Sequence, residues 1–137
     1  MDGIQTGDGK TRGILQSFQI YSYSGQKKSR LRKYRELLPR FLEAKALAFS
    51  SDYNAIEAIN FFFDEGIMVP EQISVTGYDD SVYASMIRPK LTTVHQDIPQ
   101  KAHVALERLM KLIQGETLNE LNIKNPVYLV KRDSVKE

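Results

Sequence analysis

Two adjacent carboxylates, Asp79 and Asp80, follow a short apolar stretch that passes through Gly77. Carboxylates in such a position can accept hydrogen bonds from the hydroxyls of a sugar, hold a metal ion or carry out acid/base chemistry. The alternative is a solvated turn in which Asp80 caps the next segment through backbone contacts. The pair alone does not decide among these possibilities, so the elements that position it matter.

A second candidate pair, Ser51-Asp52, lies between an apolar stretch at 46–49 and a helical pattern that Ser51 or Asp52 is expected to cap and Gly66 to end. The expected core stripe of that helix is Ile56, Ile59, Phe62 and Phe63. A strand, a helix and a second strand within roughly 30 residues predict a parallel βαβ unit. Both strands then end at the same rim, where open α/β sheets bind ligands, so Asp52 and Asp79 are expected to lie together. For Asp52 the alternative is helix capping alone, since the helix dipole stabilises a carboxylate at its start.

The rest of the chain alternates between predicted helices and strands, which favours an α/β fold with a parallel sheet. Residues 1–12 are expected to be an irregular start, and residues 14–23 a helix that runs into a short strand. The further predictions are an amphipathic helix over 31–38 that stops around Pro39, a strand over 91–94, a helix from Pro99 to Gly115 and a last strand over 127–130.

Composition excludes several classes of function. The 137 residues, 42% of them hydrophobic, suffice for one domain with a buried core, or for a large piece of one. With 19 basic against 17 acidic residues the net charge is +2, too small for the whole chain to act as a polyanion binder. The basic tract over 27–35 keeps a helical apolar face, so its charges are expected on the solvated side of a packed helix. The absence of cysteine excludes disulfides, thiol catalysis and zinc–cysteine sites.

Neither an enzyme nor a membrane protein is indicated. The residues that could serve an enzyme as acid/base groups or metal ligands are Asp79, Asp80, His95 and Asp97. However, the chain shows no nucleophile motif, glycine-rich phosphate loop or His-Glu-x-x-His spacing, so we expect no enzymatic activity, no cofactor and no metal. Its start lacks a basic segment followed by an apolar run, and no stretch reaches the ~18 apolar residues that a membrane helix needs. We therefore expect a cytoplasmic protein without membrane contact.

The chain carries a series of characteristic segments, which are Ala46–Asp52, Gly66–Pro70, Ile73–Asp80, Leu91–Asp97 and Pro126–Arg132. Together they resemble the lactose/galactose repressor (LacI/GalR) family of bacterial transcription regulators. Several motifs in the right order and at natural spacing are more specific than any one of them. The resemblance covers the chain from about Leu37 to Arg132.

The resemblance implies the effector domain of these regulators, which is similar to a type I periplasmic sugar-binding protein with two α/β subdomains that close on a small molecule. This chain is similar to an incomplete domain, mostly the C-terminal subdomain, over residues 13–137. Residues 91–115 are expected to cross to the side of the N-terminal subdomain. Neither most of that subdomain nor the helix-turn-helix that reads DNA has a counterpart in these residues.

The resemblance also implies a set of effector-binding residues. Asp79 falls where such repressors accept hydrogen bonds from ligand hydroxyls, and Asp52 matches the acid of their Asn-Asp pair. Ser51 stands where the family commonly has asparagine, and because serine reaches less far, the sequence predicts a different effector or weaker binding. The remaining candidates are Arg12, as the arginine that clamps the ligand, and Tyr23 or Tyr21, as a flat face for a sugar ring.

Three consecutive aromatic residues, Phe61 to Phe63, cannot all face one side of a helix, so at least one needs another partner. In the family that the chain resembles, the helix over 53–65 and the segment near Ile87 lie near the dimer contact, which implies a homodimer. The resemblance thus implies the sugar-sensing and dimerisation part of a LacI-type repressor, which contacts operator DNA only through an N-terminal domain absent here. The alternative is a truncated interaction module without effector binding, since a cleft between two subdomains needs both walls.

Overall fold

The computed structural model describes residues 4–7, 18–21, 27–118, 120 and 122–137, and the chain forms two compact units, residues 1–37 and 38–137. In the first unit, strand β1 (Ile4–Gly7) pairs antiparallel with strand β2 (Phe18–Tyr21). The irregular start predicted for residues 1–12 does not hold for β1, because a partner distant in sequence satisfies its backbone groups. β2 agrees with the predicted short strand, whereas the helix predicted before it lies outside the described residues.

Helix α1 (Lys27–Ala44) is longer than predicted, because it continues through Pro39. A proline inside a helix removes one hydrogen bond and crowds the preceding turn, at a cost of about 3 kcal/mol. The turn after Pro39 buries Phe41, whose ring meets that of Phe62 edge-on at a centroid distance of 6.3 Å. Burial of a phenylalanine contributes about 1.5–3 kcal/mol, which offsets much of the proline cost. The predicted stop at Pro39 was therefore wrong.

The second unit is built on a four-stranded sheet in the order β3-β4-β5-β6. Its strands are β3 (Ala46–Ala48), β4 (Ser74–Asp79), β5 (Thr92–Gln96) and β6 (Val127–Val130). β3, β4 and β5 are parallel and β6 is antiparallel to β5, which confirms the α/β fold with a mostly parallel sheet. Helix α2 (Asp52–Asp64) connects β3 to β4, which confirms the predicted βαβ unit.

Helix α2 begins and ends with the signals read from the sequence. The hydroxyl of its N-cap, Ser51, accepts a hydrogen bond from the amide of Asn54 at 3.4 Å. At the other end Gly66 has φ +72°, and the amide of Ile67 donates back to the carbonyl of Phe62 at 2.8 Å, as in a Schellman motif. Glycine suits this position because the left-handed conformation costs little without a side chain.

One face of α2 packs on the sheet and forms the core of the second unit. The buried apolar side chains of that core are Ala55, Ala58, Ile59, Phe61, Phe62, Ile73, Val75 and Leu91. Two members of the predicted stripe, Ile59 and Phe62, are confirmed, but Phe63 is 81% exposed and Phe61 is buried in its place. Each helical residue turns by about 100°, so once Phe62 faces the sheet, only one of its two neighbours can share that face.

The remaining helices are α3 (Val82–Met86) and α4 (Ile98–Ile113). No residue of α4 is buried, and its exposed apolar side chains are Ile98, Leu106, Leu109, Met110, Leu112 and Ile113. β5 belongs to the same sheet as β3 and β4. The crossing of residues 91–115 to the side of another subdomain stays a prediction. None of the helices in the described part of the chain has the length and apolar character that crossing a bilayer requires.

Candidate functional site

The turn at the end of β4, residues 79–81, lies at the carboxyl end of the parallel strands and has an unusual backbone. Asp79 has φ +115° and Asp80 has φ +53°, and neither is glycine. Such conformations cost of the order of 1–3 kcal/mol per residue and persist only where the surroundings fix them. Residues 79–81 are here named the rim turn, and their side chains are the candidate site.

Asp79 presents a carboxylate that is only half-buried. Its Oδ1 atom accepts a hydrogen bond from Nε2 of Gln96, the last residue of β5, at 2.6 Å. The Oε1 atom of Gln96 in turn accepts from Nζ of Lys101 at 3.4 Å. Among the described residues, no hydrogen bond to the Oδ2 atom of Asp79 is found.

Asp80 is held by two basic side chains. Its Oδ1 lies 2.6 Å from Nη2 of Arg132, and its Oδ2 lies 2.9 Å from Nδ1 of His95. Burial of Asp80 acts to raise its pKa, but the hydrogen bonds and charges of Arg132 and His95 outweigh that effect and lower the pKa below its ordinary value. A carboxylate can only accept, so Nδ1 of His95 carries the hydrogen of this contact. The alternative in which Asp80 caps the next segment does not apply, because its oxygens bond to these side chains.

Asp52 lies beneath the rim turn and is 1% exposed. Its Oδ2 accepts from the amide of Ser81 at 2.6 Å, and its Oδ1 accepts from the hydroxyl of Thr93 at 2.5 Å. Gly77 allows this close packing, since a Cβ there would overlap Oδ1 of Asp52. Asp52 and the rim turn thus lie together at the same rim of the sheet, as predicted. Both carboxylate oxygens of Asp52 accept hydrogen bonds from within the protein. Asp52 therefore supports the turn through the amide of Ser81, and its contact with an effector stays a prediction.

The other candidate residues from the sequence make no described contact with the side chains of the rim turn. Ser51 is half-buried at the same rim and caps α2. Arg12 and Tyr23 lie outside the described residues, and Tyr21 ends β2 in the first unit. Asp97, considered as an enzyme group, accepts from the amide of Gln100 at 2.9 Å and caps α4.

Sequence reasoning missed Gln96 and Arg132, whose side chains contact the rim turn, and Ser134, which bonds to β4 and β5 near their amino ends. Gln96 could have been found, because it ends the strand next to β4 and so shares the rim with Asp79. Ser134 is fully buried in what looked like a charged tail: its hydroxyl donates to the carbonyl of Val75 at 2.6 Å and accepts from the amide of Thr92 at 2.8 Å. Nothing local in the sequence marks Arg132 or Ser134 as part of the sheet.

A hollow of about 220 Å³ opens beside Gln96. It is lined by Tyr78, Asp97 and Lys101 and by side chains of the segment that leads into β6. Ligand sites for small molecules usually enclose about 300–1,000 Å³, so this hollow is smaller than such a site. Its mixture of an aromatic ring, an amide and charged groups suits a polar ligand with several hydroxyls.

Residues 9–135 match the family model of the periplasmic binding protein-like domain. The chain belongs to this family. Relatives of this periplasmic binding protein-like chain include the HTH-type transcriptional regulator GalR of Escherichia coli (strain K12), which is 39% identical over 101 residues. That match covers 73% of this chain and 29% of GalR. The curated relatives are regulators of the LacI/GalR type, which confirms the resemblance seen in the motifs.

Solved structures show the same periplasmic binding protein-like fold. A complex of the transcriptional regulator CelR with cellobiose is 30% identical, with a TM-score of 0.70, over 80% of this chain and 33% of CelR. The lac repressor dimer bound to operator is 31% identical, with a TM-score of 0.66, over 80% of this chain and 40% of the repressor. This chain therefore spans less than half the length of these relatives and corresponds to part of their effector domain.

Proposed function

We propose that this chain is the sugar-sensing and dimerisation part of a LacI-type transcriptional regulator, and that Asp79 receives the hydroxyls of the effector. The observation that carries this proposal is the half-buried carboxylate of Asp79 on the strained rim turn, where only Oδ1 has a hydrogen-bond partner among the described residues. Support comes from relatives that are regulators, and from CelR, whose structure holds cellobiose.

The chemistry of the rim fits a polyhydroxylated ligand. The carboxylate of Asp79 accepts hydrogen bonds from hydroxyls, and hydrogen bonds to a charged group contribute about 1.5–3 kcal/mol each. Gln96 adds an amide and Lys101 adds a cation beside it. Ser51, Arg12 and Tyr23 remain further candidates of this proposal, while Asp52 acts from below through Ser81.

The dimer part of the proposal rests on apolar side chains exposed around α2 and α3. They are Tyr53, Phe63, Met68, Val82, Tyr83 and Met86, each between 59% and 81% exposed. An open groove of about 310 Å³ lies among them, lined by Phe63, Met68 and Arg88. Large apolar side chains exposed in such number are typical of interaction sites. This surface includes the helix and the neighbourhood of Ile87 predicted from the sequence, and the lac repressor structure is that of a dimer.

In this proposal the protein works in the cytoplasm, without catalysis. An effector that binds one conformation better shifts the equilibrium of the dimer, and thereby the operator affinity of a DNA-reading domain outside these residues. A second candidate is an interaction module that binds no effector. The exposed apolar face of α4 favours it, because apolar surface of this kind suits a contact with another protein.

Isothermal titration calorimetry tests the proposal with D-galactose, D-ribose, lactose and cellobiose, after light scattering has established the oligomeric state. We expect saturable heat with one sugar and a loss of about 1–3 kcal/mol of binding free energy in Asp79→Asn, the cost of altering a charged acceptor. The matched control is Asp133→Asn, which changes an exposed carboxylate elsewhere. A folded dimer that gives no heat with any sugar would leave only the interaction module, and unchanged affinity in Asp79→Asn would remove Asp79 from the site.

A further inference from the structure

We propose that Arg132 and His95 are positioning residues of the rim turn, which hold the Asp80 carboxylate and thereby fix where Asp79 points, without touching a ligand themselves. The identity of the ligand rests on the proposed function above. The positioning role rests on contacts within the chain alone.

The rim turn needs external support because two successive residues have positive φ. Every one of its residues has such support from another element. Gln96 of β5 binds the side chain of Asp79, and Asp52 of α2 binds the amide of Ser81. Asp80 lies between them and is held by Arg132 and His95. Without that contact the backbone of Asp80 can relax to negative φ, which would turn the carboxylate of Asp79 away from the rim.

Arg132 is suited to this task because its own position is fixed. Its Nη1 donates to the carbonyl of Leu91 at 2.8 Å, while its Nη2 binds Asp80, and its amide donates to the hydroxyl of Thr92 at 2.8 Å. The planar guanidinium serves both acceptors at once, which the single ammonium of a lysine cannot do in the same geometry. The side chains of Arg132 and Asp80 are 18% and 16% exposed, so solvent screens this pair little.

His95 supports the same carboxylate from the opposite side. Its ring stacks on that of Tyr128 at a centroid distance of 4.6 Å and an interplanar angle of 24°. This stacking sets the direction in which Nδ1 points toward Asp80. Because Nδ1 can carry a hydrogen in both the neutral and the protonated ring, His95 can donate to Asp80 in either form.

The neighbouring residue provides a matched control. Lys131 forms an ion pair with Glu137 at 2.7 Å, but these side chains are 60% and 86% exposed and contact nothing at the rim. Arg132→Met and Lys131→Met therefore each remove one paired cation from adjacent positions. Only the first is expected to affect the rim turn.

The first experiment compares ¹H–¹⁵N correlation spectra of the full chain and its variants. In Arg132→Met and Arg132→Lys we expect the amide signals of residues 79–81 to shift, with core signals such as that of Phe62 unchanged. Lys131→Met should leave residues 79–81 in place. If these signals do not move in Arg132→Met, the positioning role is refuted, whether or not the chain binds a sugar.

The second experiment measures the affinity for the sugar that gave heat with the wild type. Arg132→Met should weaken binding about tenfold or more, which corresponds to the loss of a charged hydrogen bond, and Lys131→Met by less than about twofold. His95→Leu should weaken binding severalfold, and His95→Asn should restore most of it, because an asparagine amide can donate from nearly the place of Nδ1. If Arg132→Met does not fold, the comparison of His95→Leu with His95→Asn tests the proposal. Equal affinity in these two variants contradicts it. A wild type without sugar binding counts against the proposed function only, because the spectra still test the turn.

Discussion

Helices α2 and α4 have the same kind of amphipathic sequence and very different surroundings. α2 buries seven of its 13 residues, whereas α4 buries none of its 16 within the described part of the chain. The spacing of apolar residues predicts both helices, because it depends only on the geometry of the helix itself. What covers an apolar face depends on the tertiary structure, so the same pattern belongs to a core element in one case and to an exposed surface in the other.

The largest expected effect is the loss of stability when one apolar side chain is truncated in each helix. Phe62→Ala on α2 removes a fully buried ring and should lower the free energy of unfolding by about 3–5 kcal/mol. Leu109→Ala on α4 is the matched control, and since Leu109 is 53% exposed, a change within about 0.5 kcal/mol is expected. Urea unfolding followed by circular dichroism measures both. A comparable loss in Leu109→Ala would show that α4 is packed in solution.

A smaller loss of stability is expected when the N-cap side chain of either helix is removed. Ser51→Ala removes the side-chain cap of α2 and should lower the free energy of unfolding by about 1 kcal/mol. Asp97→Ala removes the equivalent cap of α4, where Oδ1 accepts from Gln100. Because α4 buries no residue, the loss of its cap should change global unfolding less. Equal losses in the same urea titration would mean that both helices unfold with the core.

The smallest expected effect is the change in the contribution of Asp80 to stability at acidic pH. The pKa of Asp80 is lower in the folded chain than its ordinary value of 3.8, so its ionised form stabilises the fold above about pH 3.8, and this contribution is lost as the pH falls through the folded value. The difference in unfolding free energy between wild type and Asp80→Asn should therefore shrink as the pH falls below about pH 4. Glu107→Gln on α4 is the control, since its pair with Lys111 is solvent-exposed and should show no measurable dependence. A difference for Asp80→Asn that stays unchanged down to about pH 3 would argue against the charged cluster.

Much of the fold can be predicted from local patterns in the sequence. The strand–helix–strand unit, the cap at Ser51 and the stop at Gly66 depend on residues close to one another, and the structure contains all three. The extension through Pro39 and the choice of Phe61 over Phe63 depend on packing between elements, which local patterns do not encode.

The same division holds at the candidate site. Asp79 was predictable, because a strand that ends in a polar turn delivers its side chains to the rim of the sheet. The burial of Asp52 was not, since it depends on Thr93, 41 residues away, and on the space left at Gly77. The bond between Asp80 and Arg132 spans 52 residues and requires the antiparallel pairing of β6 with β5.

Ser134 has a practical meaning for anyone who shortens or extends this protein. Its backbone carbonyl accepts from the amide of Val75 at 2.8 Å, and its hydroxyl bonds to both β4 and β5. These hydrogen bonds attach the segment that follows β6 to the sheet. A premature stop after residue 131 would remove Arg132 and the hydrogen bonds of Ser134, and we expect the product to be poorly folded.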